Sequence, residues 1–379
     1  MTTAKHLNVL LALSRYDHRT HKGVAQFAAK HNWHLNCEMA ITGRPPGNWR
    51  GDGILALLTE DQEVVDYVLG AQVPFVDISV IRRDIAAPRV CADNNRIGSL
   101  AAEYYLDKGF RHFAFFSTTS DRVSQLRRDS FFATAGSRAH STVDWSIPAP
   151  SRSGNLNRTL TDHLRSNPQP LALFAARDID ASMVLDACIQ AEVDVPNQIA
   201  ILGVDNNELI TNSLRVPLSS VNHDVEALGY AGAQLLQGIM VAAGGHRHNT
   251  ETPRLIPPKG ITSRLSTDCL AVTQPLVRTA LQQLNRHFSN CHYTVVQAAE
   301  HCRVTRRHLD ALFNAELGHS MHAELTGIRL RAAKRALVTS NDTVAQISAA
   351  CGFARPQYFN NSFRKIVAET PLGYRRRNR

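Results

Sequence analysis

Cysteine is sparse and unpaired in this chain of 379 residues: Cys37, Cys91, Cys188, Cys269, Cys291, Cys302 and Cys351 are scattered, with no Cys-x-x-Cys spacing. An odd, dispersed set excludes a disulfide scaffold or a zinc site as the basis of the fold and points to reduced thiols in a cytoplasm. A bilayer-length apolar run is also missing. The N-terminal run Leu7–Leu13 is far short of the ~20 residues a membrane span needs. Arg15, Asp17, His18 and Arg19 follow it where a secretory signal would place small residues. The run therefore reads as a buried strand, and no membrane partner is expected. Also lacking are a Gly-x-Gly-x-x-Gly loop, a Walker loop and a His-Glu-x-x-His helix. No cysteine has an electropositive setting by spacing, and the histidines are dispersed rather than grouped as metal ligands. Neither enzymatic activity nor a cofactor is expected.

Acidic residues are scarce in one place only. Residues 271–379 hold 16 Lys and Arg against 6 Asp and Glu, whereas the first 270 hold 26 against 27. The whole excess of the +9 net charge thus lies in the last stretch. A basic segment beside a neutral one suggests a polyanion as partner of the basic part. The length implies two or three compact units, and 44% apolar residues suffice for packed cores.

Before residue 270, short apolar runs alternate with amphipathic stretches. The strand candidates are Leu7–Leu13, Gly53–Leu58, Phe75–Ile78, Phe113–Ser117, Leu171–Ala175 and Ile199–Val204. Helix candidates between them are Lys22–His31, Gln62–Leu69, Ile97–Lys108, Asp180–Glu192 and Glu226–Val241. Continuous apolar runs mark strands buried on both faces, and the alternation predicts α/β architecture with two doubly wound parallel sheets. Ligands in such folds sit beyond the C-terminal ends of strands. Those ends carry Asp17 and Arg19, Arg177 and Asp178, and Asp205 and Asn206; Arg127, Arg128 and Asp129 precede Phe131 and Phe132, a pair expected to start a helix. Carboxylates, amides and guanidinium groups converging there suit a polyol, because each carboxylate accepts from two hydroxyls and Arg donates to oxygens. Any single Asp can instead be the N-cap of the next helix.

Several segments resemble the LacI/periplasmic-binding-protein sensor fold: Gly51-Asp52-Gly53-Ile54, Val73-Pro74-Phe75-Val76, Ala92-Asp93-Asn94 with Gly98, Lys108 to His112, Gly203-Val204-Asp205-Asn206, and Val216 to Val221. The resemblance spans about residues 5–267 and implies a sensor over 1–267 made of two lobes. It also implies three crossovers between them, expected near 109–111, 217–222 and 250–258. The positions it implies for sugar binding are Asp17, Arg19, Asp93, Arg128, Asp178, Asp205 and Asn206. Arg177-Asp178 departs from the family's usual Asn-Asp pair, and the N-terminal DNA-binding headpiece of LacI-type repressors is missing.

From Thr273 onward helix formers dominate. Val295 to Thr305 can be laid over Val344 to Ala354 at an offset of 49, and Leu309 and Phe313 over Phe359 and Phe363 at 50. Each repeat reads as a helix, a tight turn and a second helix. Gly352 suits a turn with positive φ, and Arg303 occupies that place in the first repeat. Val304, Leu309, Leu312 and Phe313 are expected inside, as are Phe353, Phe359 and Phe363. Left outside for base edges and phosphates are Thr305, Arg306, Arg307 and His308, with Arg355, Pro356, Gln357, Asn360, Asn361 and Arg364 in the second repeat. The run Ile328–Leu337 reads as a linking helix, and Arg375 to Arg377 as a frayed end. Gly352-Phe353-Ala354, Tyr358-Phe359, Phe363-Arg364-Lys365 and Thr370-Pro371-Leu372-Gly373-Tyr374 resemble the AraC family signature, with Ala368 where that family usually has Gly.

An AraC-type DNA-binding domain over 268–379 behind a LacI-like sensor is similar to the xylose-operon type of AraC-family regulator. That resemblance implies a sugar-responsive activator whose effector is a pentose such as D-xylose. It also implies a double-stranded DNA operator, a homodimer and contact with RNA polymerase as partners. The alternatives are the same architecture sensing another small molecule, an exported sugar-binding receptor, or a DNA-repair enzyme with a similar helical domain.

Overall fold

A computed structural model describes residues 6–147, 156–242, 252–272 and 274–378. The chain divides into two compact units, Met1–Cys269 and Leu270–Arg379.

The first unit opens with β1 (Leu7–Leu13), α1 (His18–Lys30), β2 (Trp33–Asn36), α2 (Glu38–Thr42), β3 (Gly53–Leu57), α3 (Gln62–Gly70), β4 (Phe75–Asp77) and β5 (Val90–Ala92). It continues with α4 (Asn94–Asp107), β6 (His112–Phe116), α5 (Arg122–Ala135), β7 (Ser141–Asp144), α6 (Leu156–Ser166), β8 (Leu171–Ala175), α7 (Asp178–Gln190), β9 (Ile199–Val204), α8 (Glu208–Thr211) and β10 (Ser219–Asn222). It closes with α9 (Val225–Val241), β11 (Arg254–Ile256) and β12 (Gly260–Thr262). The strands form two main sheets, β2-β1-β3-β4 and β12-β10-β9-β8-β6-β7, with a small pair β11-β5. All pairings are parallel except β10 with β12. These are the two parallel sheets expected from the apolar runs.

Each sheet is buried on both faces, which explains why its strands do not alternate. In the first lobe, Val9, Leu11 and Leu55 pack under α1 and α9, while Leu10, Ile54 and Ala56 pack on the opposite face. In the second lobe, Leu171, Leu173 and Ile201 face one way. Tyr105, Phe113, Phe131 and Phe174 form an aromatic cluster on the other. The Tyr105 hydroxyl is fully buried and donates to the carbonyls of Leu173 (2.7 Å) and Ala200 (3.0 Å).

Those bonds place α4 in the second lobe, so the chain first crosses between β5 and α4, well before the expected 109–111. Gly98 shows the same allegiance: a Cβ there would lie 2.2 Å from the Arg127 carbonyl of α5. The second crossing lies between β10 and α9, and the third between β11 and β12. Part of the expected third segment, residues 250 and 251, falls outside the described residues. The three crossings are tied together. Asp93 N donates to Ile256 O (2.9 Å), Lys259 N to Asn222 O (2.8 Å), and Lys259 Nζ pairs with Asp224 at 2.9 Å.

The second unit is helical among its described residues: α10 (Pro275–His287), α11 (Val295–His301), α12 (Arg306–Leu317), α13 (Met321–Thr339), α14 (Val344–Ala350), α15 (Pro356–Val367) and α16 (Pro371–Asn378). Two separate cores form, one around Leu309 and Phe313, the other around Phe353, Phe359 and Phe363. The expected linking helix is the C-terminal half of α13. The end expected to fray is docked instead. Arg375 donates to the carbonyls of Leu337 (3.0 Å) and Asp342 (2.6 Å), satisfying a helix C-terminus that would otherwise face water. Arg377 pairs with Glu369.

Candidate functional site

Four of the seven residues expected at the sugar site meet where the lobes face each other. Asp17 ends the loop after β1 and caps α1, accepting from Arg19 N at 2.8 Å. Its carboxylate also takes the Arg19 guanidinium in a bidentate pair, at 2.7 and 3.1 Å. Burial would raise the Asp17 pKa, but the Arg19 hydrogen bond and charge outweigh it and hold the carboxyl below its ordinary value. From that fixed position Arg19 Nη1 reaches the other lobe, donating to the carbonyls of Asp205 (2.5 Å) and Asn206 (3.2 Å).

Asp205 and Asn206 follow β9 with φ of 112° and 46°, a strained pair of non-glycine residues. Further contacts hold them. Asn206 N donates to Ser220 Oγ (2.9 Å), Asn207 N to Asp178 Oδ2 (2.8 Å), and His223 Nε2 meets Asp205 Oδ1 at 2.9 Å. Asn206 Oδ1 and His223 Nδ1 are buried without a partner, as is Ser14 Oγ at the end of β1. Buried polar atoms left unpaired are costly, and a ligand rich in hydroxyls would satisfy them. A cavity of about 330 Å³ opens beside this point, lined by His18, Arg19, Asn206, Asn207, Asp224 and Lys259 among others.

The other expected residues are placed differently. Asp178 is completely buried, and its two oxygens accept from Ser220 Oγ (2.6 Å) and Asn207 N (2.8 Å). It braces the strained loop from behind. Burial and the Asp205 carboxylate push its pKa well above the ordinary range. Asp93 caps α4, accepting from Arg96 N at 2.9 Å, and stands at the first crossing. Arg128 is a correction: it turns outward and pairs with Asp129 (2.8 Å) and Asp144 (3.1 Å). The inward residue is Arg127, 3% exposed, donating to Asn94 Oδ1 (2.9 Å) and Ala176 O (2.6 Å). Burial lowers the Arg127 pKa, and the charges of Asp205, Asp121 and Asp180 oppose that.

The physical reason is helix phase. Asp121 caps α5 through Ser124 N (2.9 Å), so the helix starts at Arg122 rather than at the Phe pair. Ser124, Arg127, Phe131 and Ala135 then form its buried stripe, and Arg128 is rotated by about 100° from it. Asp121 also receives Arg15 from the other lobe at 3.6 Å, a second contact across the cleft that the residue pattern did not single out.

In the helical unit the repeat extends to single bonds. Thr294 with Gln297 and Thr343 with Gln346 form matching capping boxes on α11 and α14. Val304 N donates to Ala299 O (3.2 Å) and Phe353 N to Ser348 O (3.1 Å). Both turns use positive φ, 55° at Arg303 and 78° at Gly352. These are two helix-turn-helix units, α11–α12 and α14–α15. Arg306, Arg307 and His308 are exposed at the start of α12; Arg355, Pro356, Gln357, Asn361 and Arg364 are exposed on α15, with Asn360 half-buried. Arg306 pairs with Asp310 (3.3 Å), and the Thr305 hydroxyl caps α12 by accepting from His308 N (3.3 Å). Paired donors of this kind can contact base edges in a major groove.

Two domain families match the chain: a periplasmic binding protein-like domain over residues 102–267 and a helix-turn-helix domain over 298–377. The xylose operon regulatory protein of Escherichia coli K12 is 27% identical over 99% of this chain and 98% of its own. That of Haemophilus influenzae is 28% identical over 86% and 84%. The solved structure of a xylose-binding transcription activator, xylR, superposes with a TM-score of 0.62 at 25% identity over 99% of both chains.

The chain thus joins a periplasmic binding protein-like domain to a helix-turn-helix domain and is similar to the xylose operon regulatory proteins over almost its whole length. Among the described residues no helix is long and apolar enough to cross a membrane.

Its DNA-binding unit carries a titratable triad between its two helix-turn-helix repeats. His319 Nε2 meets Glu324 Oε2 at 2.6 Å and Arg331 reaches Glu324 Oε1 at 2.8 Å. The Glu324 hydrogen bond raises the His319 pKa. Burial would raise that of Glu324, but His319 and Arg331 bring it below its ordinary value. The His319 contribution is therefore complete below the ordinary histidine pKa and is lost as pH rises through the raised one. The Glu324 contribution is complete above the ordinary glutamate pKa and is lost as pH falls through the lowered one. The melting temperature of the helical unit should fall at both ends of a titration between about pH 4 and 9, and His319→Gln should remove the alkaline limb. An unchanged alkaline limb in the variant would show that the pair contributes nothing.

Proposed function

We propose that this regulator is a sugar-responsive activator of pentose-utilisation genes, acting in the cytoplasm with D-xylose or a related pentose as effector. One observation carries the reading: a two-lobed sensor with unpaired buried acceptors at its cleft and a double helix-turn-helix unit occur in one chain, in the order of the xylose operon regulatory proteins. In this reading the sensor (1–267) holds the sugar through Asp17, Arg19, Asp205 and Asn206, with Arg127 in the place first assigned to Arg128. Asp178 and Asp93 position the loop and the crossing. Residues 268–379 bind the double-stranded operator, and homodimers present two such units to DNA and to RNA polymerase.

Sugar would act by favouring one lobe arrangement over another, to the extent of its differential affinity for the two. Arg15–Asp121 and Arg19–Asp205 are contacts that span the cleft between the lobes. Calorimetry with a panel of pentoses and hexoses tests the effector: saturable binding of a pentose supports the reading, and binding of no sugar ends it. On DNA, the two recognition helices of one unit should enter major grooves one turn apart, about 34–36 Å. Arg306→Ala or Gln357→Ala should each cost ~1–3 kcal/mol on cognate DNA only, if each reads a base. Equal loss on every sequence would assign that residue to phosphates.

A further inference from the structure

The sensor is almost neutral overall, and many of its arginines have an acidic partner, as Arg82 has Asp84 and Arg96 has Glu103. Others, among them Arg44, Arg50, Arg83 and Arg122, have none among the described residues, and in one place cations of this kind cluster. The loops 108–112 and 136–140, at the N-terminal ends of β6 and β7, contain Lys108, Arg111, His112, Arg138 and His140 and no Asp or Glu. The two loops are joined: His140 N donates to Arg111 O (2.7 Å), His112 Nδ1 meets Ser141 Oγ (2.8 Å), and the rings of His112 and His140 lie 5.7 Å apart. Arg138 and His140 are exposed, and Arg111 is half-buried. Arg111 Nη1 donates only to the Phe110 carbonyl (2.8 Å), and among the described residues neither Arg111 nor Arg138 has an ion pair. Burial, and after it the charge of the nearby Arg138, lower the Arg111 pKa.

The patch lies where the chain leaves the sensor. Lys108 Nζ donates to the carbonyl of Cys269 (3.5 Å), the last residue of the first unit, while its ammonium sits over the Tyr104 ring. The first helix of the DNA-binding unit starts at Pro275. A cluster of uncompensated cations suits phosphates better than it suits water alone.

We propose that this basic patch of the sensor is a second contact surface for the operator, binding the phosphate backbone of duplex DNA through Arg111 and Arg138 without reading sequence. The proposal rests on the DNA-binding reading above and adds a surface that lies outside both helix-turn-helix units.

Counterion release supplies the test, since each phosphate contact contributes about 0.9 to the slope of log affinity against log salt. The full-length protein is titrated at several KCl concentrations onto a duplex selected from random sequence and onto mixed-sequence competitor. The Arg111→Ala, Arg138→Ala double variant should lower the slope by about 1.8 on both duplexes, leaving their ratio unchanged. Arg138→Lys should keep the slope. If the double variant melts early, the exposed single variant Arg138→Glu should still lower the slope by about 1. An unchanged slope in a folded variant overturns the patch while the DNA-binding reading stands, and so does a loss confined to the selected duplex. Loss of polymerase-dependent activation with the slope intact overturns it too, assigning the surface to an acidic protein partner. If the unmodified protein binds no duplex, both readings fall together.

Discussion

Arg127→Met should destabilise the sensor by about 3–5 kcal/mol, while Arg128→Ala, one residue on, should change it by less than about 0.5 kcal/mol. Arg127 is 3% exposed and surrounded by the charges of Asp205, Asp121 and Asp180. Its loss would strand Asn94 Oδ1 and the Ala176 carbonyl, both now bonded at 2.6–2.9 Å, and leave those carboxylates short of a counter-charge. Arg128 is a third exposed and pairs with Asp129 and Asp144 at the surface, where ion pairs contribute little. Urea denaturation of the two variants decides the matter. A comparable, small effect at both positions would mean that the side chain of α5 facing the cleft has been misassigned. Sugar binding should follow the same contrast, lost with Arg127 and kept with Arg128, because Asn94 stands at the first crossing and Arg127 ties it to the end of β8.

That contrast also shows where sequence patterns stop being sufficient. Leu7–Leu13, Leu171–Ala175 and Ile199–Val204 coincide with β1, β8 and β9, because a strand covered on both faces has to be apolar throughout. The edge strands β2 (WHLN), β7 (STVD) and β12 (GIT) went unseen, since an edge carries polar residues and reads like a loop. The start of α5 was legible in principle: Asp121 is a favoured N-cap residue, and counting from it puts Arg127 on the Phe131 face. Membership of α4 in the second lobe was not, because it depends on Tyr105 reaching carbonyls 68 and 95 residues away. The same holds for His223, whose role at Asp205 arises only when β9 and β10 pair. At the site, Asp17 and Arg19 could be read from the end of one strand, whereas the burial of Asp178 behind the Asp205 loop required the packing of three elements.

The repeats of the helical unit allow an opposed pair of substitutions. Gly352→Ala should cost about 2–4 kcal/mol: about 1 for a side chain at positive φ and about 1–3 for overpacking. The second contribution is local and specific, because a Cβ on Gly352 would lie 2.0 Å from the Phe288 carbonyl, which Arg329 Nε already holds at 2.9 Å. Relieving the clash would mean moving either the turn of the second repeat or the end of α10, so the exposed face of α15 should lose its place and DNA affinity should fall with stability. Arg303, the equivalent residue of the first repeat, has nearly the same backbone, φ 55° against 78°, but an exposed side chain. Arg303→Gly should therefore stabilise the unit by about 0.5–1 kcal/mol, since glycine adopts this conformation without strain. Differential scanning calorimetry of the full chain reads both changes in the transition of the helical unit. If Arg303→Gly destabilised by as much as Gly352→Ala, the arginine would be holding the turn by contacts of its own, and backbone conformation would no longer explain why the two repeats differ at this residue.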